Sequence, residues 1–272
     1  MANTFDLSQG NSYTHYLRRA VKKLITFFKM LHGRMHYFGL GPMRFTGVFD
    51  TYDDAFQYAQ TKTRAGYDNE EIVHVSFTTM CELAPWDYPV LFWLQRIMED
   101  NNSIVDAGGH MGTKYRAFQN YLPFDEHTKW TVYDLPAIVR AGRKRALLDG
   151  LQNLTFCDDI THLNHADIFL GSGLMQYINE PLSEVLHRMK SLPQHIILNK
   201  VAFHDSGHLV TLENIGGVLV PYQMRNEREF YREITALGYQ LVDEWNIPSL
   251  MRKIDTHPEI GLSTVKGFYF KL

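Results

Sequence analysis

The stretch from residue 103 to residue 112, Ser-Ile-Val-Asp-Ala-Gly-Gly-His-Met-Gly, runs as a short apolar strand to Asp106 and then enters a glycine-rich turn. A second acid, Asp134, closes the next apolar segment along the chain. In open α/β sheets this pair of features holds a nucleotide, because glycines let the backbone approach the ligand and the second acid accepts ribose hydroxyls. The pattern therefore predicts a nucleotide site in an α/β sheet. Its turn glycines are Gly108, Gly109 and Gly112.

The turn departs from the dinucleotide-binding pattern G-x-G-x-x-G at two positions. Ala107 stands where the first glycine belongs, and Asp106 would bring a negative charge close to a diphosphate in a site shielded from water. S-adenosylmethionine has no phosphate and carries a sulfonium and an ammonium, so a carboxylate attracts it. We therefore expect this cofactor, with Asp106 near its methionine part and Asp134 at its ribose. The alternative for Asp106 is a strand-end acid that caps the next helix.

Apolar segments and helical patterns alternate from Ile104 to Leu272, which predicts a parallel sheet covered by helices on both faces. The predicted strands are residues 103–106, 129–134, 153–159, 166–171, 195–203, 239–245 and 265–272. This order of segments resembles the class I S-adenosylmethionine-dependent methyltransferases. The resemblance implies a doubly wound, mostly parallel sheet of seven strands, of which the last is antiparallel, with a helical N-terminal region before it.

Two short segments carry the resemblance further. Tyr-Asp-Leu-Pro at residues 133–136 and Ala-Asp-Ile-Phe-Leu at residues 166–170 are similar to the corresponding motifs of small-molecule O-methyltransferases. A closer likeness is to a bacterial family of unassigned methyltransferases often linked to surface-polysaccharide or specialised-metabolite genes. It is based on residues 46–50, the glycine turn and residues 174–177. We accordingly expect a small-molecule or glycan-precursor acceptor.

The resemblance also implies further contacts with the cofactor. Asp158 or Asp159 would accept from the amino group of the adenine, while Ile160 covers the ring. Gly171 and Ser172, directly after the fourth strand, would border the methyl-transfer crevice, because ligands of open α/β sheets bind outside the carboxyl ends of the strands. The predicted cofactor-binding residues are Asp106, Gly108, Gly109, Gly112, Asp134, Leu135, Asp158, Asp159, Ile160, Gly171 and Ser172.

The chain lacks the catalytic pair of the better-known O-methyltransferases. They commonly carry His-Asp just after the fourth strand, where this sequence has Met175 and Gln176. The candidate base is His204 with Asp205, beyond the fifth strand, because an imidazole takes up protons near neutral pH and a carboxylate can orient it. Adjacent side chains often point in different directions, so Asp205 need not touch His204. The alternative is a pocket-lining or solvated histidine.

A base is not required for every acceptor. An amine that binds neutral, or an acceptor already ionised, needs mainly alignment and exclusion of water. Tyr177 and Gln176 would then position the acceptor by hydrogen bonds, and the alternative for Tyr177 is packing of the helix after strand four. Residues 205–226 are typical of a hairpin or extended insertion, from which Tyr222 and Arg225 would contact the substrate. The alternatives are ordinary packing within the insertion for Tyr222 and a solvated cation for Arg225.

The histidines do not predict a metal site. His204 and His208 are four residues apart, but Ser206 and Gly207 between them indicate a loop, where that spacing does not bring two imidazoles together as a helix would. His162 and His165 flank a turn without cysteines or a carboxylate cluster nearby. We expect no catalytic metal.

Composition limits the partners and the compartment. The chain has 272 residues and a formal charge of −3, which gives no overall reason to expect nucleic acid. Cys81 and Cys157 lie far apart, as in a reducing compartment, and no apolar run reaches the length of a membrane span. We expect a cytoplasmic protein with a helical N-terminal region over residues 1–86 and a methyltransferase domain over residues 87–272.

The N-terminal region contains a basic helix. Between residues 15 and 34, apolar residues recur at spacings of four and three among six lysines and arginines. Three interpretations compete: packing in the core or a homodimer, a lid over the substrate, and peripheral contact with an anionic membrane. Residues 46–67 predict a loop followed by a helix that begins near Asp50.

Two other functions remain open. The first is a nicotinamide-dependent oxidoreductase, which Tyr58 and Lys62 support as a Tyr-x-x-x-Lys array, although short-chain reductases carry this array well after the glycine turn. The second is a scaffold or regulator that binds the nucleotide without catalysis, consistent with Met175 and Gln176 at the position of a base.

Overall fold

The computed structural model describes residues 9–35, 43–62, 76–100, 102–163 and 165–272, with side chains from residue 18 onward. The helices are α1 Gln9–Met35, α2 Tyr52–Lys62, α3 Phe77–Met80, α4 Tyr88–Ile97, α5 Thr113–Phe118, α6 Pro136–Leu148, α7 Leu182–His187 and α8 Glu227–Ala236. The strands are β1 Phe45–Phe49, β2 Ser103–Ala107, β3 Lys129–Tyr133, β4 Leu154–Cys157, β5 Ile168–Ser172, β6 His195–Phe203, β7 Leu209–Ile215, β8 Val218–Met224, β9 Gln240–Asn246 and β10 Thr264–Lys271.

Seven strands form one mostly parallel sheet in the order β4-β3-β2-β5-β6-β10-β9. Strands β2 to β6 are parallel, and β10 lies antiparallel between β6 and β9. This confirms the predicted doubly wound sheet and its antiparallel last strand. The chain order reverses between β2 and β5, so the crevice that binds ligands in such sheets opens at the carboxyl ends of these two strands.

Helices cover both faces of this sheet. In β5, Phe169 packs in an apolar cluster on one face, whereas its neighbours Ile168 and Leu170 pack in a cluster on the other. Successive side chains of a strand point to opposite faces, so an unbroken apolar run such as this is the expected pattern of a strand buried on both sides. The run indicates a central strand, and the crevice therefore opens above a rigid core.

A second sheet consists of β1, β7 and β8. Strands β7 and β8 pair as an antiparallel hairpin, which confirms the hairpin predicted within residues 205–226. The loop predicted at residues 46–50 is wrong, because β1 pairs antiparallel with β7. The strand has a register irregularity between Thr46 and Phe49 and a left-handed Gly47 (φ +75°), so it lacks the regular alternation by which strands are predicted.

The helix predicted after this segment is confirmed as α2, which packs against the β7–β8 hairpin. Strand β1 thus connects the N-terminal region to residues far beyond position 86. The division of the chain at that residue remains a prediction. Among the described helices, none combines the length and apolar character needed to cross a membrane.

Candidate active site

Hydrogen bonds from two backbone amides join the glycine turn to the end of β3. The amide of Gly108 donates to the carbonyl of Tyr133 at 2.9 Å. Asp134 accepts from the His110 amide through Oδ2 at 2.8 Å and from the Leu135 amide through Oδ1 at 2.8 Å. The structure therefore brings together the two acid-bearing strand ends that the sequence analysis paired, with Asp134 bound to the turn itself.

Internal packing already requires glycine in this turn. A Cβ on Gly109 would lie 2.4 Å from Oδ2 of Asp106, and a Cβ on Gly112 would lie 2.5 Å from the side chain of Leu154. Gly112 also has a left-handed backbone (φ +76°). These two glycines are thus explained by contacts within the chain, and close approach of a ligand remains a prediction that rests on other residues.

Asp106 lies beneath the turn and is 1% exposed. Its Oδ2 accepts a hydrogen bond from Nε1 of Trp130 at 3.1 Å, while Oδ1 has no partner in the part of the chain that the structure describes. Burial raises the pKa of this carboxyl to about 7, although Trp130 and the Lys114 ammonium pull it down. The residue that caps α5 is Gly112, without a side-chain bond, so Asp106 does not serve as the cap proposed as its alternative.

A buried ion pair lies next to Asp106. Nζ of Lys114, on α5, is 2.7 Å from Oδ2 and 2.9 Å from Oδ1 of Asp87, at the start of α4. The Asp87 side chain is fully buried and that of Lys114 is 9% exposed. The side-chain amide of Asn199, on β6, donates toward the same carboxylate at 3.5 Å and to the carbonyl of Trp86 at 3.1 Å. Charge is thus concentrated at the carboxyl ends of β2 and β5, beside the middle of β6, where Asn199 pairs with Ser172.

Lys200 completes this charged group and was not predicted from the sequence. It interrupts β6 with a left-handed backbone (φ +64°), which is rare for a residue with a side chain and costs energy. Its Nζ is 3.1 Å from the position that a Cβ on Gly173 would occupy, directly after β5. Burial, with a smaller effect from Lys114, lowers the pKa of Lys200 to about 8.

The available signal for Lys200 was the pair Asn-Lys inside an otherwise apolar strand, His-Ile-Ile-Leu-Asn-Lys-Val-Ala-Phe. A lysine is rarely buried unless it has a partner or a function. Asp87 and Lys114 gave no such signal, since they lie on different helices and only the fold brings them together.

Two buried polar atoms on the β5 side also lack partners. Oγ of Ser172 and Oε1 of Gln176 have no hydrogen bond within the described ranges. The Gln176 amide group itself is held in place, because its Nε2 donates to the carbonyl of Lys200 at 2.5 Å. Leaving a buried polar group unbonded costs about 1–3 kcal/mol, so such atoms indicate where a ligand binds. Together with Oδ1 of Asp106, they lie around the β2–β5 crevice.

The two acids after β4 are both exposed and differ in the hydrogen bonds that they make. Oδ1 of Asp159 accepts from the amide and the hydroxyl of Thr161, at 2.9 and 2.7 Å, and thereby begins the short 3₁₀ turn at residues 160–162. These bonds from Thr161 lower the pKa of Asp159. Asp158 is exposed. Ile160 is 1% exposed and belongs to the main core, whereas Leu135 is 40% exposed. Of the two acids, Asp158 is the better candidate for the adenine.

His204 is bound to its own loop. Its Nδ1 accepts from the amide of Ser206 at 3.2 Å and lies 2.7 Å from the Ser206 hydroxyl, whereas Asp205 is exposed. The structure thus joins His204 to Ser206 rather than to Asp205, whereas the Lys200 side chain packs against Gly173, directly after β5.

The residues predicted to bind the acceptor lie in the segment that follows β5 or pack against it. The Tyr177 hydroxyl donates to Oε2 of Glu213 at 2.7 Å, and its ring packs edge-on against Tyr222 with centroids 5.6 Å apart. Arg225 donates to the carbonyls of Met175 and Ile178, both at 3.1 Å. Burial raises the pKa of Tyr222 and lowers that of Arg225. Arg225 is therefore a positioning residue for this segment and not a solvated cation.

Within the described residues, histidines, cysteines and acids form no group of three that could hold an ion. His208 is engaged elsewhere, with Nε2 at 2.7 Å from Oε1 of Gln223.

No family model and no curated protein matches the chain. Among solved structures, Burkholderia thailandensis 1,6-didemethyltoxoflavin-N1-methyltransferase with bound 1,6-didemethyltoxoflavin and S-adenosylhomocysteine is 16% identical, over 69% of this chain and 78% of that one, with a TM-score of 0.46. OxaC with sinefungin and meleagrin is 16% identical over 69% of this chain and 48% of its own, with a TM-score of 0.46, so this chain spans about half of its length.

The N-terminal domain of EvdMO1, solved in the presence of SAH and D-fucose, is 11% identical over 69% of this chain and 83% of its own, again with a TM-score of 0.46. Overlaps of this size carry no argument about activity. The assignment of the fold rests on the strand order and on the antiparallel β10.

Proposed function

We propose that the protein transfers a methyl group from S-adenosylmethionine to an oxygen or nitrogen of a small-molecule or sugar-containing acceptor. One observation carries the proposal. A buried carboxylate, Asp106, lies beneath the glycine turn of a sheet with an antiparallel last strand, and one of its oxygens lacks a hydrogen-bond partner within the described residues. Such a group attracts a cationic cofactor and repels a diphosphate.

The residues at this edge of the sheet fit the cofactor. Asp134 would accept from the ribose hydroxyls beyond the bonds it already makes, Asp158 would accept from the adenine amine, and the exposed Leu135 would flank the ligand. When bound, the cofactor supplies an electrophilic methyl group. The chain contributes alignment and exclusion of water at the crevice, which are worth several kcal/mol in such displacements.

Lys200 is the group that we assign to the acceptor side, with Gln176 and Ser172 as hydrogen-bonding neighbours. With a pKa of about 8, a fraction of the amine is neutral near neutral pH, so Nζ can take a proton from an acceptor hydroxyl as the oxygen attacks. His204 with Asp205 remains the alternative base, and Tyr177, Tyr222 and Arg225 remain predicted contacts of the acceptor.

Calorimetric titration tests the cofactor. We expect S-adenosylmethionine and its demethylated product to bind and NADH not to bind. Asp134→Ala should weaken binding by about 100-fold, in keeping with 1.5–3 kcal/mol for hydrogen bonds to a charged group. The matched variants Asp158→Ala and Asp159→Ala test which acid binds the adenine. Only Asp158→Ala should weaken the binding of S-adenosylmethionine, because Asp159 is engaged in the turn with Thr161. Binding of NADH, or equal affinity in Asp134→Ala, would contradict the proposal.

Transfer itself distinguishes an enzyme from a nucleotide-binding scaffold. Cofactor carrying a tritiated methyl group, incubated with the protein and a metabolite extract, should label at least one compound. Lys200→Met should retain cofactor affinity and lose most of the labelling, by about 100-fold or more if Lys200 is the base. His204→Ala serves as the comparison. Loss of labelling in His204→Ala but not in Lys200→Met would assign the base to the histidine.

A further inference from the structure

Helix α1 exposes an apolar face. Its side chains are described from Arg18 onward, and seven large apolar ones are each 45–59% exposed. They are Val21, Leu24, Ile25, Phe27, Phe28, Leu31 and Met35. Core packing, the first of the three interpretations of this helix, is therefore excluded for these residues within the described chain. A continuous apolar surface of this kind marks an interaction site rather than scattered surface residues.

The apolar and basic residues of α1 lie on separate faces. At about 100° of rotation per residue, the seven apolar side chains fall within an arc of roughly 160°. Arg18, Lys22 and Lys29 border one side of this arc, and Lys23 and Arg34 border the other. Long cationic side chains beside an apolar face can extend their charges away from it while their methylene groups add to it.

The opposite side of the helix attaches it to the domain that contains residues 255–259. Gly33 is buried against the backbone of Asp255, where a Cβ would lie 2.2 Å from the carbonyl oxygen. Nη2 of Arg34 forms an exposed ion pair with Glu259 at 3.2 Å. Gly33 is roughly 160° around the helix from the centre of the apolar arc. The domain therefore holds α1 with its apolar face turned away from the domain.

An apolar face turned away from the domain does not fit a lid over the substrate. Charge decides between the two remaining partners, a second copy of the chain and an anionic membrane. The helix contains six lysines and arginines and no aspartate or glutamate. Two copies of α1 packed face to face would bring these cations together without a countercharge on either helix, which is unfavourable. An anionic lipid surface supplies the countercharge, and its acyl boundary takes up the apolar face.

We propose that α1 is an interfacial helix that binds the protein to an anionic membrane surface, with its apolar face at the boundary between headgroups and acyl chains and its basic residues among the headgroups. This proposal does not depend on the proposed methyl transfer.

Sedimentation of the full chain with vesicles tests the proposal. We expect binding to phosphatidylcholine mixed with phosphatidylglycerol to exceed binding to pure phosphatidylcholine by about tenfold or more, because the anionic headgroups attract the cations of α1. We expect salt to weaken this binding. The double variant Leu24→Glu/Phe28→Glu should abolish sedimentation. Lys22→Glu/Lys23→Glu should remove the preference for the anionic vesicles.

The matched control is Leu147→Glu/Leu148→Glu on α6, whose leucines are even more exposed, at 84% and 74%. This variant should sediment as the unchanged protein does. Light scattering of the protein without lipid measures its oligomeric state and tests the alternative, a homodimer formed through α1. A dimer that Leu24→Glu/Phe28→Glu converts to a monomer would overturn the proposal in favour of a second copy, and so would equal binding to both vesicle types or to neither.

Discussion

The crevice between β2 and β5 and the helix α1 are both rich in charge, but they are stabilised in opposite ways. At the crevice, Lys114 and Asp87 form a buried pair at 2.7 Å, surrounded by further polar contacts from other strands. At α1, Arg34 and Glu259 form a pair at 3.2 Å in which both side chains are more than 40% exposed. The ion pair at the crevice is enclosed by the fold, whereas the ion pair at α1 is exposed to solvent.

The difference shows what each region can do. Buried charges are held in one geometry and thereby fix the positions of polar atoms that can bind a ligand. The exposed charges of α1 are accessible to an external surface. Desolvation makes a broken pair costly at the crevice and nearly neutral at the helix. Stability measurements on matched variants of the two regions therefore test this comparison.

The largest effect is expected from Lys114→Met. Removing the ammonium leaves Asp87 buried without its countercharge, which typically costs about 3–5 kcal/mol. Urea unfolding followed by circular dichroism measures the loss. Arg34→Met is the matched variant in the exposed pair and should change the free energy of unfolding by about 0.5 kcal/mol or less. Equal losses in the two variants would show that burial does not separate the regions.

The next effect concerns Asp106→Asn, and it depends on pH. Burial raises the pKa of this carboxyl from 3.8 to about 7, so the folded state holds a proton that the unfolded state releases. Its contribution to stability is therefore present at low pH and is lost as pH rises toward 7. The advantage of the asparagine variant in free energy of unfolding should grow by roughly 2–3 kcal/mol between about pH 5 and pH 8.

The same residue links pH to the cofactor. A cation beside Asp106 stabilises its ionised form, so the affinity of the wild-type protein for S-adenosylmethionine should increase as pH rises through about 7. Asp106→Asn keeps an oxygen that can accept from Trp130 but should lose this dependence. Calorimetry at several pH values measures it. An identical pH profile in both proteins would remove Asp106 from the site.

A smaller effect is expected from Gly33→Ala. The new Cβ would meet the Asp255 carbonyl, so α1 should separate from the domain, while alanine favours the helix itself by about 1 kcal/mol. The free energy of unfolding should change by no more than about 1 kcal/mol. Amide hydrogen exchange within residues 252–259 should nonetheless accelerate, and Val21→Ala should leave it unchanged. Unaltered exchange in Gly33→Ala would contradict the described docking.

The smallest effect is expected from Leu24→Glu/Phe28→Glu in the absence of lipid. Both side chains are more than half exposed, so the free energy of unfolding should change by about 0.5 kcal/mol or less. Thermal unfolding of the free protein measures it. A loss of several kcal/mol would mean that the apolar face is covered in solution, which is the result expected of a dimer.

Local sequence patterns predicted much of the fold. Strand β6 lies where the run at residues 195–203 indicated, and the antiparallel β10 follows from the order of segments. The ends of β2 and β3 that carry the two acids lie side by side because parallel neighbouring strands end at the same edge of a sheet. These features depend on short-range periodicity. The periodicity involves only residues close together in the sequence, so it can be recognised without knowing the tertiary contacts.

The fold alone decided the features that depend on distant residues. Strand β1 was missed because its partner β7 lies far along the chain and its own alternation is broken at Gly47. The pairing of Asp87 with Lys114, and the approach of Lys200 to Gly173, result from helices and strands that meet only after folding. The amphipathic pattern of α1 was evident in the sequence, but which face it turns outward was not. Hydrophobic periodicity specifies that a surface exists, and only the packed domain determines whether that surface is covered.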